Sequence, residues 1–324
     1  MVGVGRGAGW RAWSVCLLSL LFAVPAAADV APRFFFAGNG RLVLRHGHFD
    51  TTLDVRYRHR DGTYDSAALA HIEHFFRSRD DGRQAPVSLR LVELLAYIQD
   101  HFHPRQMVLL SGFRSPSFNT DLRIAGGAVA QASLHTEAMA ADIMFVGLDM
   151  ARLWRQLRSL GAGGVGYYRQ NRFLHVDTGP PRFWEATTSR VQENLSADNA
   201  RVFLRTDFDR YPRLEGAIAS LHSVTTFPIL VAAKAALVSP EGTRAITLQP
   251  VVGEGAGAAA TAEGCFAVQM APETHEFRVS AVDLAVSPNG DPAAGSHIVL
   301  WTCEPRIGKT PERIESNKIE VRFN

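Results

Sequence analysis

The residues with the most usable chemistry in this 324-residue chain lie between positions 111 and 184. Ser133-Leu-His135-Thr-Glu-Ala-Met-Ala-Ala-Asp142 carries an imidazole and a carboxylate seven residues apart. Phe173-Leu-His175-Val-Asp177 adds a second imidazole and a second carboxylate. A catalytic zinc ion takes three protein ligands, commonly His nitrogens and one carboxylate, and keeps a fourth position for water. His135, Asp142 and His175 supply two nitrogens and one oxygen. A spacing of seven places two residues on opposite faces of a continuous strand, so a turn must intervene if both reach one ion. Asp142 also leads into the apolar run Ile143-Met-Phe-Val146, where a buried carboxylate needs a partner. His and Asp are common at strand ends too, and spacing alone leaves both readings open. The chain has 12 histidines, so other pairs arise: His46-Gly-His48, His71-x-x-His74 and His101-x-His103. None has a third ligand close in sequence, which favours surface or partly packed histidine over metal.

These residues need elements to hold them, and the patterning supplies an α+β framework. Asp65 or Ser66 can cap a helix through Arg77, with Leu69, Ile72, Phe75 and Phe76 on one face. Ser88 can open a second, where Leu91, Leu94, Leu95, Ile98 and Phe102 follow the 3.6-residue period. Asp149 fits the N-cap of a third, with Leu153, Trp154, Leu157 and Leu160 turned inward. Short apolar runs lie between them at Met107–Leu110, Ala141–Val146, Val165–Tyr168 and Phe173–Val176, suited to strands of a small mixed or antiparallel sheet. Gly161-Ala-Gly-Gly164 either keeps one wall of a cleft open or makes a tight turn.

After Trp184 the texture changes to turn-rich, strand-like sequence. Phe227–Leu230, Ala245–Val252, Cys265–Met270, Phe277–Val286, His297–Cys303 and Ile319–Phe323 read as strands, the first at an edge because of Pro228. Ala232–Leu237 reads as a helical turn, Gly253–Gly264 as a flexible loop and Ser287–Pro292 as a turn. The expected division is a signal peptide over 1–28, an α+β domain over 29–190 and a β-rich C-terminal domain over 198–324. No chemically suggestive cluster marks that last part.

The start of the chain has basic charges only, at Arg6 and Arg11, then the apolar stretch Ser14–Val24 and the small-residue site Pro25-Ala-Ala-Ala28. That is the three-part pattern of a secretory signal cleaved after Ala28. The 11 residues of the stretch fall short of the roughly 20 that a membrane span needs, so no span is expected in the mature form. Cleavage would leave 32 basic and 32 acidic residues. Such balance excludes a non-specific polyanion binder, which needs surplus Lys and Arg, so nucleic acid is not an expected partner. Of the three cysteines, Cys265 and Cys303 remain after cleavage; in an oxidising compartment they form either a disulfide or two core thiols.

Four motifs occur in order: Ser111-Gly-Phe-Arg114-Ser-Pro-x-x-Asn119, Ser133-x-His135-x6-Asp142, Gly163-Gly-Val-Gly-Tyr-Tyr168, and His175-Val-Asp177-x-Gly179-x-x-Arg182-x-Trp184. Together they resemble the zinc D-alanyl-D-alanine metallopeptidase superfamily, most nearly its periplasmic murein endopeptidase branch, over residues of about 35–186. The resemblance implies a compact α+β peptidase with Zn2+ held by His135, Asp142 and His175. It implies a peptidoglycan peptide as substrate and a periplasmic or extracellular location in a bacterium. Arg114 would match the arginine that binds a substrate carbonyl or carboxylate and stabilises the oxyanion. Asn119 and Ser133 would sit near the site as substrate-side or orienting residues, or act as turn caps. Asp177 is the nominated general base or, instead, an orienter of an imidazole. Three departures stand out. Ala138 replaces the usual Gly, Thr136 the usual Met, and Arg172 occupies the place where many relatives have a catalytic Glu. The rival reading is a catalytically inactive zinc-containing module that binds peptidoglycan.

Overall fold

The computed structural model describes residues 33–126, 133–189, 197–223, 229–251, 264–268, 275–282 and 293–321, with 1, 3 and 130. The expected signal peptide and the Gly253–Gly264 and Ser287–Pro292 expectations fall largely or wholly outside these residues. No described helix is long and apolar enough to cross a membrane.

In chain order the first part runs β1 (Arg41–His46), β2 (Thr52–Arg56), α1 (Ser66–Phe75), α2 (Leu89–Phe102), β3 (Gln106–Ser111) and α3 (Pro116–Ile124). A single 3-10 turn, Leu134–Glu137, precedes β4 (Ala140–Val146), α4 (Met150–Leu160), β5 (Gly164–Tyr168), β6 (Phe173–Asp177) and β7 (Arg182–Glu185). The seven strands form one mixed sheet in the order β2-β1-β3-β4-β6-β5-β7. Pairing is antiparallel except at β1–β3 and β5–β7.

The helices form where capping and periodicity direct them. Asp65 accepts from the Ala68 amide at the start of α1, and Asp149 accepts from Ala151 and Arg152 at the start of α4. Leu91, Leu94, Leu95 and Ile98 of α2 are buried, in one core with Leu42 and Leu44 of β1 and Ile143 of β4. Fourteen residues are marginal as an isolated helix, so this buried face is what holds α2 in place. The fully buried Glu93 adds a polar anchor, accepting from Arg58 Nε at 2.7 Å, Tyr57 Oη at 2.8 Å and Tyr64 Oη at 3.0 Å. Sequence patterning missed α3, although Ser115 caps it through the Phe118 amide and Pro116 stands in its first turn.

The rest of the chain contributes β8 (Val202–Thr206), β9 (Arg210–Tyr211), β10 (Ile218–Ser223), β11 (Ile229–Ser239), β12 (Gly242–Pro250) and β13 (Cys265–Val268). It ends with β14 (His275–Val282), β15 (Ala293–Thr302), β16 (Arg313–Glu315) and β17 (Ile319–Val321). These ten strands share a second sheet with its own apolar core, including Leu221, Val231, Leu237 and Leu300. The expected helical turn at Ala232–Leu237 is instead the middle of β11. Its alanines favour helix, but β12 and β15 take up the backbone hydrogen bonds on either side, and tertiary pairing overrides propensity.

Cys265 and Cys303, 38 positions apart in sequence, form a disulfide that fastens the ends of β13 and β15 across β11. In the chain-entropy model a loop of this size is worth about 4 kcal/mol. Replacing both cysteines with Ser is expected to lower the stability of the C-terminal part by that order, read as a reduced urea midpoint with a somewhat steeper slope, because the uncrosslinked unfolded chain exposes more surface.

The two sheets meet along several contacts. Arg90 of α2 pairs with Asp209 and donates to Thr206 O at 2.9 Å, and the Phe35 amide donates to Asp209 at 3.0 Å.

Candidate metal centre

One row of paired residues crosses the first sheet and builds the site. Ser111 of β3 stands opposite Asp142 of β4, Asp142 opposite His175 of β6, His175 opposite Gly166 of β5, and Gly166 opposite Trp184 of β7. Directly paired residues share a sheet face, so these side chains all rise on one side. His135 joins them from the 3-10 turn, the intervening turn that the seven-residue spacing required.

The turn owes its shape to its own polar side chains. Ser133 Oγ accepts from the His135 amide at 3.4 Å, and Ser133 O accepts from Thr136 Oγ1 at 2.6 Å. Thr136, the first departure from the superfamily pattern, thereby closes the turn with its hydroxyl. Ala138 ends it in the left-handed region at φ 52° and ψ 31°, a conformation that costs an L-residue about 1–2 kcal/mol. Its carbonyl accepts from the Ser88 amide at 3.1 Å, which ties the turn to the start of α2.

His135 Nε2, Asp142 Oδ1 and His175 Nδ1 converge. The two nitrogens are 3.2 Å apart, and Asp142 Oδ1 lies 3.3 Å from His135 and 3.0 Å from His175. A tetrahedral ion about 2.0–2.1 Å from each donor requires donors roughly 3.3 Å apart, so the spacing fits. The proton positions fit as well. His135 Nδ1 lies 2.7 Å from Gly112 O and His175 Nε2 lies 2.9 Å from Asp177 Oδ2, and both oxygens can only accept. Each neutral imidazole then carries its hydrogen on the outer nitrogen and points a lone pair inward. Three lone pairs facing one another in a buried space call for a cation. This is the one group of three or more His, Cys, Asp or Glu side chains among the described residues with metal-binding geometry.

Charge and burial act together here. Burial pushes the His135 imidazolium down to about 4, helped by Arg114, so its Nε2 is unprotonated at neutral pH. Burial alone would raise the Asp142 carboxyl, but His135 and Arg114 outweigh it and hold Asp142 well below the usual range. Asp177 is likewise held down, chiefly by Arg182 and then His175, against the upward push of burial. In His175 burial is outweighed by the Asp142 and Asp177 carboxylates, which favour the charged ring and raise it; a cation at the three donors would take the place of the inner proton.

Arg114 donates Nε to Ser111 Oγ at 2.8 Å and Nη2 to Asp142 Oδ2, and its backbone amide donates to His135 O at 3.1 Å. Asn119, buried on α3, donates to Ala130 O at 3.2 Å. Asp177 is fully buried and ringed by donors. Oδ1 accepts from Gly164 N at 3.0 Å, Gly179 N at 2.8 Å and Arg182 Nη1 at 3.0 Å; Oδ2 accepts from His175 and from Arg182 Nη2 at 2.7 Å. The glycine-rich motif serves this packing: a Cβ on Gly164 would collide with Asp177 and one on Gly166 with the Trp184 indole. Arg172 sits in the exposed turn between β5 and β6, at φ 57°.

The other histidine pairs do not gather ligands. His46 is buried, and its Nδ1 accepts from the amides of His48 and Phe49, each at 3.1 Å, so it shapes a turn. Two aromatic residues carried by the motifs but given no role by spacing belong to the site. The Trp184 ring stands 5.2 Å from the His175 ring, and its Nε1 donates to Tyr168 Oη at 3.3 Å. Register alone identifies them, because Tyr168 lies two residues beyond Gly166 on the same face.

Comparison with known proteins adds the lineage. A family model described as peptidoglycan L,D-endopeptidase MepK matches residues 37–184. The peptidoglycan L,D-endopeptidase MepK of Escherichia coli (strain K12) is 33% identical over 165 residues, covering 50% of this chain and 91% of that protein. The chain belongs to the MepK family. A probable MepK of Haemophilus influenzae is 30% identical over 124 residues, 38% of this chain and 67% of that protein. No solved structure matches. The MepK model contains every converging residue described above, whereas it ends at residue 184, ahead of the whole second sheet. This chain is therefore a MepK-type peptidase with a β-rich extension.

Proposed function

We propose that this chain is a zinc-dependent peptidoglycan L,D-endopeptidase, hydrolysing an amide between an L- and a D-configured centre in cell-wall peptides. The observation that carries the reading is the convergence of three inward lone pairs beside Arg114 in a member of a family of L,D-endopeptidases. His135, Asp142 and His175 would hold the zinc ion. When bound, zinc would supply Lewis acidity, polarising a carbonyl and making water acidic enough to ionise near pH 7.

The remaining roles fall to this chain's own groups. Ser111 and Asp142 occupy Nε and Nη2 of Arg114, which leaves its Nη1 edge to meet a substrate carbonyl or carboxylate. Trp184 donates to the Tyr168 oxygen, so the phenolic hydrogen is left to point elsewhere. Burial raises the Tyr168 phenol, keeping it a donor at neutral pH. We assign Tyr168 the role of a hydrogen-bond donor to the bound peptide. Asp177 has five donors on two oxygens and no exposed surface, which supports positioning of His175 over proton transfer. Asp177→Asn keeps the shape but loses the charge. It is expected to weaken zinc affinity about 10–100-fold, measured by competition with a chromophoric chelator.

The domain division proposed is 29–190 for the peptidase and 198–324 for the β-rich part, and export fits a substrate outside the cytoplasm. The deciding experiment is mass spectrometry of cross-linked muropeptides before and after incubation with the zinc-loaded chain. Products split at an L,D amide support the proposal. Zinc and peptide binding with no product from any cross-link type would sink it and leave a binding module.

A further inference from the structure

The β-rich part reaches the turn that carries His135. His222 of β10 and Phe203 of β8 are a directly paired cross-strand couple, so both side chains leave the second sheet on the same face. Their rings stack, with centroids 5.0 Å apart and planes 13° from parallel. His222 Nδ1 donates to Glu137 Oε2 at 2.6 Å, and Glu137 is the last residue of the turn. Phe203 packs against Leu134, Met139 and Ala140, which begin and follow that same turn. The contact is nearly dry: the His222 and Glu137 side chains are 9% and 12% exposed. A charge-assisted bond at this depth holds its geometry better than a surface pair.

The turn itself needs holding. It is one 3-10 turn, closed by Ala138 in a left-handed conformation where the superfamily pattern has Gly. The matched part of the MepK family contains neither Phe203 nor His222. We propose that His222, seated on Phe203, is a positioning residue for the metal centre: it fixes Glu137 and through the turn sets His135, making the β-rich part a structural component of the peptidase site. The proposal rests on the zinc reading given above.

The test uses the full-length mature chain loaded with Co2+, whose visible absorption reports ligand geometry, and Zn2+ competition for affinity. His222→Ala is expected to alter the Co2+ spectrum and weaken Zn2+ binding about 10–100-fold, the range for residues that orient metal ligands. His222→Asn, whose amide can donate from near the Nδ1 position, should restore most of both. Glu137→Ala attacks the contact from the other side and serves if His222→Ala does not fold. The double variant should lose no more than either single one, because they share one interaction. Arg210→Ala, which removes a donor to Phe34 O at 3.0 Å elsewhere between the sheets, should leave the spectrum unchanged. A wild-type spectrum and affinity in His222→Ala or Glu137→Ala overturn this proposal alone. Failure of the wild-type chain to take up either ion overturns the zinc reading, and this proposal with it.

Discussion

Asp142→Asn is expected to abolish zinc retention and hydrolysis together. Its Oδ1 faces His135 Nε2 and His175 Nδ1, and its Oδ2 receives Arg114, so one carboxylate serves both the cation and the guanidinium. The amide keeps the volume but loses the charge, and half of its polar edge becomes a donor facing groups that need an acceptor. If the ion supplies several kcal/mol of transition-state stabilisation, its loss at about 1.36 kcal/mol per tenfold lowers kcat/KM by about 10³ or more. The measurement is zinc content after dialysis, paired with muropeptide hydrolysis. Full zinc content with wild-type hydrolysis in this variant would remove Asp142 from the ligand set. Loss of hydrolysis with zinc retained would instead place the defect at Arg114.

The site was more legible in the sequence than the sheet that holds it. His135, Asp142 and His175 are chemically distinctive, and the required turn followed from strand geometry because seven is odd. The strands carrying Asp142 and His175 are short apolar runs, and α2 and α4 announce themselves by period and cap. What lay hidden depended on register. Nothing local shows that Gly166 stands opposite both His175 and Trp184, or that Tyr168 therefore shares their face. The saturation of Asp177 is half visible, since Gly179 and Arg182 are close in sequence, but Gly164 comes from the neighbouring strand. The left-handed Ala138 could be anticipated only from a departure at a position where Gly is usual. Local propensity failed outright at Ala232–Leu237, where long-range pairing decides. The contact between Glu137 and His222 spans 85 residues and joins two sheets, beyond the reach of any pattern.

Arg114→Lys should separate catalysis from metal binding. The ammonium keeps a positive charge near Asp142, so zinc content should stay near one per chain. It cannot reproduce the fork that reaches Ser111, Asp142 and a substrate oxygen at once, because its three donors spring from one atom. If Arg114 stabilises charge that develops on the substrate oxygen, the expected loss is about 10²–10³ in kcat with a smaller change in KM, as for removal of one oxyanion donor. A residue that only grips a carboxylate of the resting substrate would give the opposite split, with KM raised and kcat unchanged. Arg114→Ala should fall at least as far in kcat and, by removing a cation beside His135 and Asp142, also shift the acid limb of metal release. Its sign follows from the two groups. Arg114 holds down both the His135 imidazolium and the Asp142 carboxyl. Without it both take up a proton at higher pH, so zinc should leave at a higher pH than in the wild type. Steady-state kinetics on a defined cross-linked muropeptide, together with zinc retention across pH 4–7, measure both effects. Unchanged kcat in both variants would leave the guanidinium a structural partner of Asp142 and nothing more.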